Sequence, residues 1–339
     1  MEPLNVHDYE LLARDRLDEN AWEYFRGGSG DESTLRENLA AFARWRLRPR
    51  VLVDVTEIDT STTVLGTRVA APILVAPVAL QKFAHPDGEA ATARAAARAG
   101  TIMVLSTSAT MRPGAVAEAA PPAPRWFQVY VFRDRGVTQA LIDEACEHDY
   151  SALVLTVDVP IIGRREGAVR IGFHIPDEFE VAGDIFDDID PSVSWRDLEW
   201  LAGHGLPVVL KGVLTAEDAR LAVEHGASAV VVSNHGGRQL DGVPASIDAL
   251  PQVVEVVAGR VEVLLDSGVR RGVDVLRAVA LGARAVLVGR PVVYALAVGG
   301  EEGVLQVLQL LREEVELGLR LLGCTSPTEV TREHVEWTR

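Results

Sequence analysis

The chain has 339 residues, a formal net charge of −16, 48% apolar residues and 24% charged residues. That balance is ordinary for a globular protein with a sizeable core, and the length suits one elaborated barrel as well as two domains. Net negative charge, with no basic block longer than the RR pairs at 164–165 and 270–271, excludes a phosphate-backbone footprint and hence nucleic acid as a partner.

The N-terminal stretch MEPLNVHDYELLARDRLDE is charged throughout and lacks the apolar core of a signal peptide. The longest uncharged apolar run, VAAPILVAPVAL at 69–80, is too short to cross a bilayer. Cys146 and Cys324 cannot build a disulfide framework or thiolate cluster within one chain. A cytoplasmic protein without membrane partners is expected. Residues 1–70 read as helices and a short strand region that covers one end of the fold or makes a subunit contact. From residue 71, short β-branched runs alternate with Ala-rich or amphipathic segments. The strands are PILVAP (72–77), TIMVLS (101–106), RWFQVYV (125–131), ALVLTVD (152–158), PVVLKG (207–212), AVVVSN (229–234), EVLLDSG (262–268) and AVLVGR (285–290). Helices are predicted at GEAATARAAARAG, GVTQALIDEACEHD, WRDLEWLAGHG, TAEDARLAVEHG and GVDVLRAVALG, with a final one from about Val292 to Leu322. Strands this apolar, separated by helices, form a parallel sheet buried on both faces. Eight of them predict an α/β fold, a closed (β/α)8 TIM barrel over 71–339. The alternative, an open doubly wound sheet, lacks the G-x-G-x-x-G loop of a dinucleotide site. Residues 159–194 form a long acidic connection after the fourth strand, expected to act as a lid.

Active sites of such barrels lie at the C-terminal ends of the strands. Those ends supply Ser106, then Gln128 and Tyr130, Thr156 and Asp158, Lys211, and Ser233 with His235 and Arg238. Asp266 with Arg270 and Gly289 with Arg290 complete the series. A lone Asp or Arg there can equally be a helix cap or an ion-pair partner. Lys211 within an apolar strand requires a partner, and His235, between Asn and Gly-Gly, has no apolar face on which to pack. Cys146, Cys324, Met103 and Met111 read as packing residues. DSGVRRG and VGRP place glycine backbone beside Arg270 and Arg290 where barrels often hold a phosphate. Lys211 suits a cofactor that becomes anionic on reduction.

In WEYFRGGSGDE (22–32), RPRVLVDVT, APVALQKFAHPDGE, FQVYV, LTVDVPIIGRRE, VLKGV, SNHGGRQLDG, DSGVRRG and VGRPVVYAL, the chain resembles the FMN-dependent α-hydroxy acid oxidases and dehydrogenases. These motifs run across nearly its whole length, as one FMN-dependent hydroxy acid dehydrogenase domain over 1–339. The resemblance implies FMN as cofactor and His235 as base at the substrate α-carbon or its hydroxyl, with Asp158 orienting the imidazole. It implies Tyr24, Arg165 and Arg238 on the substrate carboxylate and Tyr130 on the hydroxyl. Ala76, Pro77, Val78 and Ser106 would lie near the flavin ring, Gln128 and Thr156 at its polar edge, and Lys211 at N1 and O2. Ser233, Asp266, Gly268, Arg270, Gly289 and Arg290 would serve the ribityl and phosphate end. The family also implies a homo-oligomer, tetramer or octamer.

Three positions depart from the glycolate oxidase pattern. Ser108 stands where those enzymes carry Trp, which implies room for a larger substrate side chain. The lid is shorter by roughly twenty residues within a loop class that varies. Ser267 replaces a second Gly. The expected reaction is oxidation of an (S)-2-hydroxy acid to the 2-oxo acid, with dioxygen reoxidising the flavin to give hydrogen peroxide. A quinone or carrier protein as acceptor, a decarboxylating monooxygenase and an FMN-dependent non-redox isomerase are the alternatives; a pure binding scaffold would leave the set from Tyr24 to Arg238 without a purpose.

Overall fold

The computed structural model describes residues 3–176, 179 and 188–338. Its centre is a closed barrel of eight parallel strands. In chain order they are Ile73–Val75, Met103–Leu105, Arg125–Val129, Leu153–Thr156, Val208–Val213, Ala229–Val232, Glu262–Leu265 and Ala285–Val288, and the eighth pairs with the first to close the ring. All eight expected strands are present. The helices at Pro113–Ala119 and Ser246–Val257 were not among those expected. One is short and the other carries Pro251 internally, so neither shows a long uninterrupted helical period. The final helix starts at Arg290, two residues before the expected point, and is broken by non-helical backbone at Gly299 and Gly300.

Side chains alternate across each strand, and the two sets fill two cores. Val75, Leu105, Phe127, Leu155, Leu210, Val232, Leu265 and Val288 face the surrounding helices. Leu74, Val104, Trp126, Val154, Val209, Val231, Leu264 and Leu287 fill the barrel interior. Val64 and Val69 join that interior cluster from a hairpin, Thr62–Val64 with Thr67–Val69. Leu65 N–H donates to Glu262 at the start of the seventh strand, so the hairpin stoppers the N-terminal end of the barrel. The N-terminal segment thus serves both ends, because its helix Glu19–Arg26 carries Tyr24 to the opposite mouth. Within the 159–194 connection, a helix forms at Glu166–Ile171 and Phe132 bridges Ile189; the rest of the expected lid, 177–178 and 180–187, lies outside the described residues.

Candidate active site

Stepping each inward row one pair further along its strand brings Ala76, Ser106, Gln128, Thr156, Lys211, Asp266 and Gly289 to the mouth of the barrel. They line one cavity with Pro77, Val78, Ser108, Tyr130, His235, Gly268, Arg270 and Arg290. Tyr24, Arg165 and Arg238 complete its wall, so residues from both flanking segments converge with those of the strands. Two of the expected residues stand behind the wall: Asp158 contacts His235, and Ser233 contacts Lys211.

The sixth strand ends in a turn in which His235, Gly236 and Gly237 all have left-handed backbone, with φ of 58°, 66° and 74°. For histidine this costs about 1 kcal/mol, and the turn persists because each N–H is held by a side chain. His235 N–H donates to Ser233 Oγ at 3.0 Å, Gly236 N–H to Ser267 Oγ at 2.9 Å and Gly237 N–H to Asn234 Oδ1 at 3.1 Å. The imidazole Nδ1 lies 2.9 Å from Asp158 Oδ1, which fixes the Nδ1–H tautomer and leaves Nε2 as the basic atom. Burial pulls the imidazole pKa below its ordinary value, Lys211 and Arg165 add to this, and Asp158 opposes it. Burial resists ionisation of Asp158, but His235 and Lys211 outweigh it and keep the carboxyl below its usual range. The carboxylate can sit this close because residue 212 is glycine, with φ of 112°; a Cβ there would stand 2.8 Å from Asp158.

Lys211 has its partner: Nζ lies 3.1 Å from Asp266 Oδ2 and 3.2 Å from Ser233 Oγ. Burial opposes its charge, yet Asp266 and Asp158 hold the ammonium above its ordinary pKa. The arginines differ from one another. Arg290 donates to the carbonyls of Phe25, Gly236 and Gly27, and Arg238 to those of Tyr24 and Gly27, with its guanidinium 5.1 Å from the centre of the Tyr24 ring. Both therefore clamp the N-terminal segment over the mouth. Arg165 instead has a buried Nε with no partner. Burial and the neighbouring Arg238 push its pKa down to about 9, so it stays cationic at neutral pH. The Tyr130 hydroxyl is pushed well up, chiefly by burial and then by Asp158, and stays protonated as a donor.

Gln239 and Asp241 escape a reading centred on charged strand ends, although both lie in SNHGGRQLDG. Gln239 donates to the carbonyls of Asp158 and Ile161 and accepts from Gly163 N–H, fixing the start of the loop that carries Arg165. Asp241 caps the helix Ser33–Ala40, whose own cap residue Glu32 makes no side-chain cap bond. It accepts from the N–H groups of Asp31, Ser33 and Thr34 and from Ser33 Oγ. Their polar side chains beside the glycines were the available signal. Asp241→Ala should cost about 0.5–2 kcal/mol of stability, as loss of an N-cap does, measured by urea unfolding. Burial raises its pKa, but the bonds from Thr34 and Ser33 outweigh this and hold the carboxyl far below its ordinary value. That stabilisation is present above the unfolded pKa of about 3.9 and fades as pH falls through the lower folded value, so the deficit of the variant should shrink only in strong acid.

The cavity fits FMN on its own chemistry. Gln128 Nε2 and Thr156 Oγ1 are buried donors without partners, which suit the polar edge of an isoalloxazine. At Gly289, which precedes the final helix, an added Cβ would fill the space beside Ala76 and Val78. Among the described residues no group of His, Cys, Asp and Glu could hold a metal ion.

A family model described as FMN-dependent dehydrogenase matches residues 13–337. Glycolate oxidase 3 of Arabidopsis thaliana is 48% identical over 356 residues, covering 99% of this chain and 96% of that protein. L-lactate oxidase of Nostoc sp. is 47% identical over 352 residues, covering 97% and 96%. A solved structure of mandelate oxidase with benzoyl-formic acid superimposes with a TM-score of 0.94 at 43% identity, over 99% of each chain. Sequence, barrel and cavity agree, and the chain belongs to the FMN-dependent dehydrogenase family.

Proposed function

We propose that this protein is an FMN-dependent oxidase that converts (S)-2-hydroxy acids to 2-oxo acids and passes the electrons to dioxygen, giving hydrogen peroxide. The observation that carries it is a neutral, Asp158-held His235 on the same cavity as Arg165, a buried cation with an unpartnered Nε. A base and a carboxylate anchor must be close when the C–H to be broken is one bond from the carboxylate.

FMN, when bound, accepts the electron pair. Gln128 and Thr156 would hold its polar edge, Lys211 its N1 and O2 side, and Ala76, Pro77, Val78 and Ser106 its ring face. Ser233 and Asp266 would serve the ribityl chain, and Gly268, Arg270, Gly289 and Arg290 the phosphate. Arg165 binds the substrate carboxylate, with Tyr24 and Arg238 beside it, and Tyr130 donates a hydrogen bond to the hydroxyl oxygen. His235 Nε2 takes the proton, and Asp158 stabilises the resulting imidazolium. Anaerobic mixing with (S)- and (R)-2-hydroxy acids, followed by air and a peroxide assay, tests the reading. Bleaching of the flavin by the (S) series and peroxide on aeration support it. Bleaching without peroxide points to another acceptor, and no bleaching by any hydroxy acid overturns it.

The favoured substrates are those with larger apolar or aromatic side chains. Ser108, buried and with no partner for its Oγ, lies on the cavity wall, and its side chain is far smaller than the Trp of the glycolate oxidase pattern. Ile162 and Ala79 also line the cavity and offer apolar contact. The solved relatives named mandelate oxidase, one of them with (S)-mandelic acid, support this preference. Since one added methylene on an apolar wall is worth about 1–3 kcal/mol, mandelate should exceed glycolate in kcat/KM by roughly tenfold or more. Ser108→Trp should return the ranking toward glycolate. Steady-state kinetics on glycolate, lactate and mandelate for both proteins decide the matter.

Residues 1–70 and 71–339 act as one unit in this reading, since Tyr24 belongs to the first and His235 to the second. A cytoplasmic homo-oligomer, a tetramer or octamer, is part of the same proposal. No helix among the described residues is long and apolar enough to cross a membrane. Exposed Val51 and Leu52 lie on the chain that runs beside the end of the final helix, where Leu317 and Leu321 are also exposed. Such a patch suits a contact between copies.

A further inference from the structure

Ser267 is one of the few non-glycine residues with left-handed backbone, at φ of 74°. Its hydroxyl makes two contacts at once. It donates to Asp266 Oδ1 at 2.8 Å and accepts from Gly236 N–H, next to the base, at 2.9 Å. The other oxygen of Asp266 faces Lys211 Nζ at 3.1 Å, and Lys211 in turn reaches Ser233 Oγ, which holds His235 N–H. One closed network therefore joins the turn that carries the base to the buried cation on the cofactor side, and Ser267 is where the seventh strand enters it.

We propose that Ser267 is a positioning residue that sets the effective charge of Lys211 toward the flavin and pins the His235 turn. The proposal rests on the reading that places Lys211 against the N1 and O2 side of FMN. A hydroxyl that donates to Asp266 takes up part of the carboxylate charge, so less of the Lys211 charge is neutralised. More positive field then remains for a cofactor that gains negative charge on reduction. The same hydroxyl satisfies the Gly236 N–H in a turn of three consecutive left-handed residues, which limits how far His235 can drift.

Glycine and alanine at 267 separate these effects from folding. Ser267→Gly removes the hydroxyl and relieves the left-handed strain, whereas Ser267→Ala removes the hydroxyl and keeps the strain. In both FMN-loaded variants, the affinity of the bound flavin for sulfite, an anion that senses positive field at the ring, should fall about three- to tenfold. The two-electron potential should become more negative, a tenfold change corresponding to about 30 mV. Flavin reduction by substrate should slow, while thermal melting separates the two variants in favour of glycine. Lys211→Met is the control. If it weakens sulfite binding strongly while both Ser267 variants match wild type in sulfite affinity and potential, Ser267 does not tune the cation and the proposal falls. If Lys211→Met itself leaves both unchanged, the placement of Lys211 against the flavin is wrong, and the proposal falls with it.

Discussion

Replacing His235 with glutamine is expected to lower the rate of anaerobic flavin reduction by about 10²- to 10⁴-fold, the loss typical of a positioned base, with FMN retained. Retention is expected because the ring contacts Asp158, while Gln128, Thr156 and Lys211, the donors proposed to hold the flavin, come from strands three, four and five. Stopped-flow bleaching with mandelate or lactate measures it; a rate near wild type at saturating substrate would place the base elsewhere. The pH profile provides a second check. The base acts when neutral, so the rate is level at high pH and falls as pH drops through the imidazole pKa. Burial, Lys211 and Arg165 hold that pKa below its ordinary value, so the acid limb should lie below about pH 6.5. Asp158 is the group that opposes the depression, so Asp158→Asn should shift the limb lower still while also slowing the reaction.

The barrel was legible because its signal is periodic. Eight apolar runs bounded by polar residues locate the strands, and counting by two along any of them separates Leu74, Trp126 and Val209 of the interior from Val75, Phe127 and Leu210 of the helix-facing layer. The same parity places Gln128, Thr156, Lys211 and Asp266 at the mouth, since each follows an interior residue by two positions. Roles set by pairing were less accessible. That Arg290 and Arg238 each donate to carbonyls of residues 24–27, while Arg165 keeps a free Nε, depends on how the N-terminal segment crosses the mouth. No local pattern in the sequence encodes that crossing. Gln239 and Asp241 were missed for the same reason, because their partners lie some 80 and 210 residues away in sequence. The helix Ser246–Val257 shows the opposite failure, in which a local stop signal, Pro251, is tolerated inside a packed helix.

Arg165→Met is expected to weaken binding of a 2-oxo acid inhibitor by about 30- to 4000-fold, the range for removing one partner of a buried charged pair. Its effect on the reduction rate at saturating substrate should be much smaller, because the carboxylate contact is made before the C–H bond is broken. Arg238→Met should act differently despite the same formal charge change. Arg238 holds Tyr24 and Gly27 by their carbonyls, so its loss should loosen the N-terminal segment and lower stability as well as affinity. Electrostatics supplies a signature that a steric explanation of the Arg165 variant would not. Arg165 is one of the charges that depress the His235 pKa, so its removal should move the acid limb of flavin reduction upward, opposite to the shift from Asp158→Asn. Inhibitor titration of the oxidised flavin, together with the pH profile of both variants, checks the pair. If Arg165→Met binds the 2-oxo acid as wild type does and leaves the limb in place, the carboxylate is held by other residues and the orphaned Nε has another use.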